Sequence, residues 1–151
     1  MVNNNPREAS VLLVEDNPGD VFLVKHVIRE EGLGVDLMVA EDGEKAIQII
    51  DQLDEGREIE APELMLLDLN IPRRSGIQVL ERLRRSVRCA GIPVVMISSS
   101  DSPDERRHAF ELGATEYFRK PSSLGGFMQL GKLVRQLHER IHSENNARPI
   151  S

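Results

Sequence analysis

The chain has 151 residues, 40% hydrophobic and 29% charged, with a formal net charge of -6, which suits one domain built on a single core. Its one cysteine, Cys89, excludes an intrachain disulfide or a thiolate metal cage and reads as a small buried or half-buried residue, while an acidic total with one tyrosine and no tryptophan argues against a nucleic-acid surface. No apolar run approaches the roughly 20 residues that span a bilayer and no apolar signal follows the start, so a soluble, cytoplasmic protein without membrane contact is expected.

In chain order, short β-rich runs alternate with helical patterns. SVLLVE precedes a helix over 18–31, VDLMV one over 44–53, LMLLD one over 76–86, PVVMIS one over 103–112, and EYFR one over 124–141. Near-continuous apolar strands separated by helices of several turns predict an α/β fold with a parallel sheet covered on both faces. The expected architecture is a doubly wound (βα)5 domain with five parallel strands in the flavodoxin-like order 2-1-3-4-5. The domain spans residues 10–142, between a flexible N-terminus (1–9) and a flexible tail (143–151).

The charges divide unevenly, with 5 basic and 15 acidic side chains in residues 1–60 against 14 and 10 in the rest. Asn17 followed by Pro18, and Ser102-Pro103-Asp104-Glu105 with the form of a capping box, mark helix starts just beyond strand ends. The acidic stretch 54–62 reads as an exposed loop, and Arg82, Arg84, Arg85 and Arg88 read as a solvated helix face. On the first helix Asp20, Leu23, Val24, Val27 and Ile28 share one face and Phe22 lies opposite. An exposed Phe22 is expected, either as an isolated surface residue or as part of a docking patch. In the last helix Gly125, Gly126 and Gly131 each cost about 1 kcal/mol relative to alanine. The four histidines, His26, His108, His138 and His142, show no metal spacing.

Carboxylates end the strands that such a sheet makes neighbours. The first ends in Glu15-Asp16 and the third in Asp68; in an open parallel sheet ligands bind outside the carboxyl ends, at the point where strand order reverses. Three acids in one crevice need compensation. A hard cation, Mg²⁺ in particular, suits such oxygen donors, and Lys120 at the end of the fifth strand and Ser98 at the end of the fourth complete the set. The constellation suits phosphoryl transfer to Asp68 as nucleophile, with Lys120 and Ser98 on the phosphoryl group.

VLLVEDNP, LLDLNIPRRSG, PVVMIS and GATEYFRKP together resemble the receiver domain of two-component response regulators, over about residues 10–141. The resemblance implies a phosphoprotein whose phosphoacceptor is Asp68, with Glu15 and Asp16 as the acid pair and the Asn70 backbone carbonyl completing the Mg²⁺ shell. It further implies Ser98 as hydroxyl switch, Lys120 as phosphate-binding lysine, Tyr117 as aromatic switch, and a Lys120–Pro121 bond that is a candidate for cis. The expected role is a single-domain regulator in phosphorelay signal transduction, not an enzyme, phosphorylated by a sensor histidine kinase and assisting its own phosphorylation and dephosphorylation. DLNIPRRSG, the long loop before the third strand and KPSSL are similar to regulators partnered with phytochrome-type kinases.

With no second domain after the receiver, output is expected through a surface, toward an unknown downstream protein, from the fourth helix, fifth strand and fifth helix. Phe127, Leu130, Leu133, Val134, Leu137 and Ile141 leave two readings of the last helix open: a homodimer contact on its distal part, or core throughout. Three other functions compete. A relay would pass phosphate on to a histidine phosphotransferase. A hydrolase of the haloacid dehalogenase type needs a second acid where Asn70 stands. A flavodoxin-like cofactor binder lacks a glycine-rich phosphate loop.

Overall fold

The computed structural model describes residues 9–147, with side chains described through Ser143. The described residues form β1 (Ala9–Val14), α1 (Pro18–Glu30), β2 (Val35–Ala40), α2 (Gly43–Asp54), β3 (Leu64–Asp68), α3 (Gly76–Arg84), β4 (Val94–Ser98), α4 (Pro103–Glu111), β5 (Glu116–Arg119) and α5 (Leu124–Ala147). The strands make one sheet in the order β2-β1-β3-β4-β5, parallel throughout.

The strand sequences account for the two-sided cover. All residues of β1, β3 and β4 are buried, and successive side chains point to opposite faces. Leu12, Val14, Met65, Leu67, Val94 and Met96 therefore pack with Ile50, Leu53, Val79, Leu80 and Leu83 of α2 and α3. Val11, Leu13, Leu64, Leu66, Val95 and Ile97 pack instead with Val24 and Ile28 of α1 and Leu130, Val134 and Leu137 of α5. Leu137 is thus core, which removes it from any dimer contact; Phe127, Leu130 and Val134 are buried as well, while Leu133 and Ile141 are half-buried.

Helix ends follow local chemistry with two departures. Asn17 Oδ1 accepts from the N–H groups of Gly19 and Asp20 at 2.8 and 3.1 Å. At Ser102 only half of the expected box forms: its hydroxyl accepts from Glu105 N–H at 3.3 Å, but its own N–H donates to Ser100 Oγ. The reciprocal box is at Ser75 and Gln78, opening α3. α5 runs to Ala147, past the end expected at Ile141; residues 1–8 and 148–151 of the expected flexible ends lie outside the described residues.

Three further expectations meet the structure. Phe22 is 69% exposed. Arg82 is not on a solvated face: it pairs with Asp51 and Asp54, each at 2.8 Å. Arg84 donates to the carbonyls of Ala90, Ile92 and Gly113, so only Arg85 and Arg88 of the four are exposed. Gly131 shows why its helix tolerates glycine: a Cβ there would lie 2.6 Å from the Val27 carbonyl oxygen, so its absence lets α5 approach α1.

Candidate functional site

At the carboxyl ends of β1, β3 and β5, the register sets side chains around one point. Val14 pairs with Ala40 and Leu67, and Asp68 with Ile97, so the chain emerges at Glu15 and Asp68 beside one another. Glu15, Asp16 and Asp68 present carboxylate oxygens all within 4.8 Å of one another, with Glu15 and Asp68 buried and Asp16 exposed. Lys120 follows β5, its N–H donating to the Ser98 carbonyl at 2.7 Å.

The Lys120 ammonium is the hub. Its Nζ donates to Glu15 Oε1 at 2.6 Å, Asp68 Oδ2 at 2.7 Å and Asp20 Oδ2 at 2.8 Å. Three hydrogens meet three carboxylates, the full donor capacity of an ammonium. Burial lowers the Lys120 pKa, but the bonds to Asp20, Asp68 and Glu15 outweigh it and hold it above the ordinary lysine value. Glu15 is pushed up to about 7, first by burial and then by Asp68 beside it. One cation does not satisfy this many acids.

That residual negative charge is the observation against which a divalent ion can be tested. Glu15, Asp16 and Asp68 offer oxygen donors only, and Asp16 faces solvent, which fits Mg²⁺ and its retained waters. Asn70 lies at the rim, its N–H donating to Asp68 Oδ1 at 2.9 Å. The three acids therefore share one crevice, with both Asp68 oxygens already oriented, one by Asn70 and the other by Lys120.

Ser98 and Tyr117 both bond to Ser100, just beyond β4. Ser98 is fully buried at the end of β4, and its Oγ accepts from Ser100 N–H at 3.0 Å. Tyr117, in β5 opposite Met96, donates its O–H to the Ser100 carbonyl at 3.3 Å and carries the Arg106 guanidinium 5.7 Å above its ring. The Lys120–Pro121 bond is trans: the described residues contain no cis peptide.

Asp20 is the participant that the sequence reading left unassigned. Its signal was an acid on the apolar face of α1, shared with Val24, Val27 and Ile28, which are buried. The loop after Asp68 carries a second surprise: Arg73 and Arg74 have φ of 51° and 83°, a region that costs a side-chain-bearing residue roughly 1–2 kcal/mol. Gly43 N–H holds this loop by donating to Pro72 O at 3.1 Å.

Comparison with known proteins finds relatives in both sequence and fold. A model of the response regulator receiver domain matches residues 11–130. The regulatory protein FilR2 of Methanothrix harundinacea is 33% identical over 129 residues, covering 85% of this chain and 81% of its own. Response regulator Rcp1 of Synechocystis sp. is 32% identical over 121 residues, covering 80% of this chain and 82% of its own. Among solved structures, the phosphorylated cyanobacterial phytochrome response regulator RcpA superposes with TM-score 0.78 at 28% identity, over 86% of this chain and 93% of its own. The Mn²⁺-bound form of Rcp1 gives 0.76 at 29% identity, over 85% and 92%.

Proposed function

Since the chain belongs to the response regulator receiver domain family, we propose that it is a two-component response regulator whose Asp68 accepts a phosphoryl group from a histidine kinase. The observation that carries this reading is the Lys120 ammonium bound at once to Glu15, Asp20 and Asp68. The domain unit we assign is residues 10–142, working in the cytoplasm; among the described residues no helix is long and apolar enough to cross a membrane.

In the transfer, Asp68 Oδ bonds to phosphorus as the phosphorus–nitrogen bond of a phosphohistidine breaks, and the imidazole leaves with the electron pair and takes up a proton. Asp68 is held by the sheet and by Asn70 N–H, so the carboxylate is aimed before the donor arrives. Lys120 is positioned to exchange part of its carboxylate contacts for the incoming phosphoryl oxygens. Glu15, Asp16, Asp68 and the Asn70 carbonyl would hold Mg²⁺, which when bound supplies positive charge that stabilises the transferring oxygens. This makes the chain a phosphoacceptor assisting its own modification and its reversal, not an enzyme acting on a separate substrate.

Phosphorylation adds about -1.5 to -2 charges to an acidic crevice. Ser98 would turn its hydroxyl to the phosphoryl group, release Ser100 N–H and leave Tyr117 free to move inward, changing the surface of α4, β5 and α5. That surface is the one we assign to a downstream protein or to a homodimer, with the exposed Phe22 as a separate docking residue on α1. Likeness to Rcp1 and to the phytochrome response regulator RcpA supports a phytochrome-type kinase as donor.

Intact mass after incubation with Mg²⁺ and acetyl phosphate tests the chemistry. A single phosphate adduct, lost with a chelator and in Asp68→Asn, is expected. No adduct from either acetyl phosphate or a phosphorylated histidine kinase would sink the proposal.

A further inference from the structure

The geometry points to a second, chemically different metal site at the opposite end of the sheet, formed by Glu63, His138 and His142 and suited to Zn²⁺ or a similar borderline divalent cation. His138 and His142 are four residues apart on α5, one turn, so both imidazoles leave the same face. Their ring centroids are 4.2 Å apart. Glu63 reaches the same point from the residue before β3, with its Oε2 3.1 Å from His142 Nε2. One ligand atom from each of the three lies within 4.8 Å of the others. A tetrahedral Zn²⁺ with bonds of about 2.1 Å would want its ligand atoms about 3.4 Å apart, so small side-chain adjustments close the shell.

The ligands are held on rigid supports and remain reachable. Glu63 N–H donates to the Ser10 carbonyl at 2.8 Å, fixing its backbone to β1, while buried Val134 and Leu137 fix α5 in the core beside His138. Glu63 and His142 keep 39% and 43% of their side chains exposed, and they border an open cleft that also contains Glu58, Glu60 and Arg88. Two nitrogens and one oxygen with an open fourth position select Zn²⁺, Cu²⁺ or Ni²⁺ and not Mg²⁺. The five-residue length of β3 sets this point about 16 Å from the Asp68 crevice, whose all-oxygen donors select the opposite way.

Bound there, the ion would tie the distal turns of α5 to the start of β3 and stabilise the fold by mass action. The test is calorimetric titration of the untagged protein with Zn²⁺ in excess Mg²⁺, followed by the Co²⁺ visible spectrum. One Zn²⁺ per chain is expected, weakened at least about tenfold by His138→Ala and by His142→Ala and unchanged in Asp68→Asn. Both histidine variants should still take up phosphate from acetyl phosphate, which shows them folded. Should either variant fail to fold, the wild type supplies the readout: Zn²⁺ should protect His138 and His142, but not His26 or His108, from diethyl pyrocarbonate. The inference is overturned by no Zn²⁺ uptake, by uptake indifferent to both histidine substitutions or lost in Asp68→Asn, or by absence of that protection.

Discussion

Ser98 and Tyr117 hold opposite ends of one residue: the Ser98 hydroxyl accepts from the N–H of Ser100, and the Tyr117 hydroxyl donates to its carbonyl. Neither side chain needs to touch the other for one to register a change in the other. If Ser98 leaves its bond to serve a phosphoryl oxygen, the Ser100 peptide groups lose one of their two anchors. Ser98→Ala should therefore still accept phosphate at Asp68 while the loop 99–102 shows the same hydrogen exchange with and without phosphodonor. In the wild type, exchange of that loop should change on phosphorylation. Tyr117→Phe should cost about 0.5–1.5 kcal/mol at most, given a bond of 3.3 Å.

Removing the ammonium has a larger effect. Lys120→Ala leaves Glu15, Asp20 and Asp68 crowded together without their shared donor, and stranding buried charge costs about 3–5 kcal/mol. The upper part of that range is reduced by the partial exposure of Asp20. Denaturant unfolding without divalent ions should show the loss, and added Mg²⁺ should restore more stability to the variant than to the wild type. Equal Mg²⁺ responses would mean that the acids do not act as one cluster.

The Glu15 shift has a sign that can be checked. Its folded-state pKa is raised from 4.5 to about 7, so between these values the native state holds a proton that the unfolded chain has released. Stability must then fall as pH rises through that window, and level off above it. The Glu15 contribution, isolated as the difference between wild type and Glu15→Gln in chelator, should show this decline. Saturating Mg²⁺ should flatten it.

Two glycines of α5 should respond oppositely to alanine. At Gly131 the new Cβ would meet the Val27 carbonyl oxygen at 2.6 Å, and pushing α5 off α1 should cost about 1–3 kcal/mol. At Gly125 nothing lies within 4 Å of a Cβ, so alanine should gain up to about 1 kcal/mol of helix propensity. Urea midpoints of the two variants, on either side of the wild type, would show it.

The contrast between those glycines marks what a sequence can carry. Leu12 and Val14 against Val11 and Leu13 are readable as opposite faces because the strand period is local, and the acids ending β1 and β3 are readable because they close apolar runs. Glycine cost is local as well, but the reason Gly131 is kept comes from Val27, over a hundred residues earlier. The same holds for Arg84, whose three carbonyl partners lie in the segments before β4 and β5. It holds most of all for His138 and His142, whose spacing acquires meaning only when Glu63 is brought beside them. Asp20 was half legible: its place on an apolar helix face was visible, its bond to Lys120 was not.

Asp68 is fastened on every side. β3 pairs with β1 and β4, Leu69 N–H donates to Ile97 O at 2.8 Å, and Gly76 N–H donates back to Leu69 O at 3.0 Å. A Cβ on Gly76 would sit 2.5 Å from the Asp68 carbonyl oxygen, so the start of α3 is pressed against Asp68 from behind. In the proposed transfer such a target stays in place. The journey would then fall to the visiting phosphohistidine, and the rate of delivery would measure how well its carrier docks.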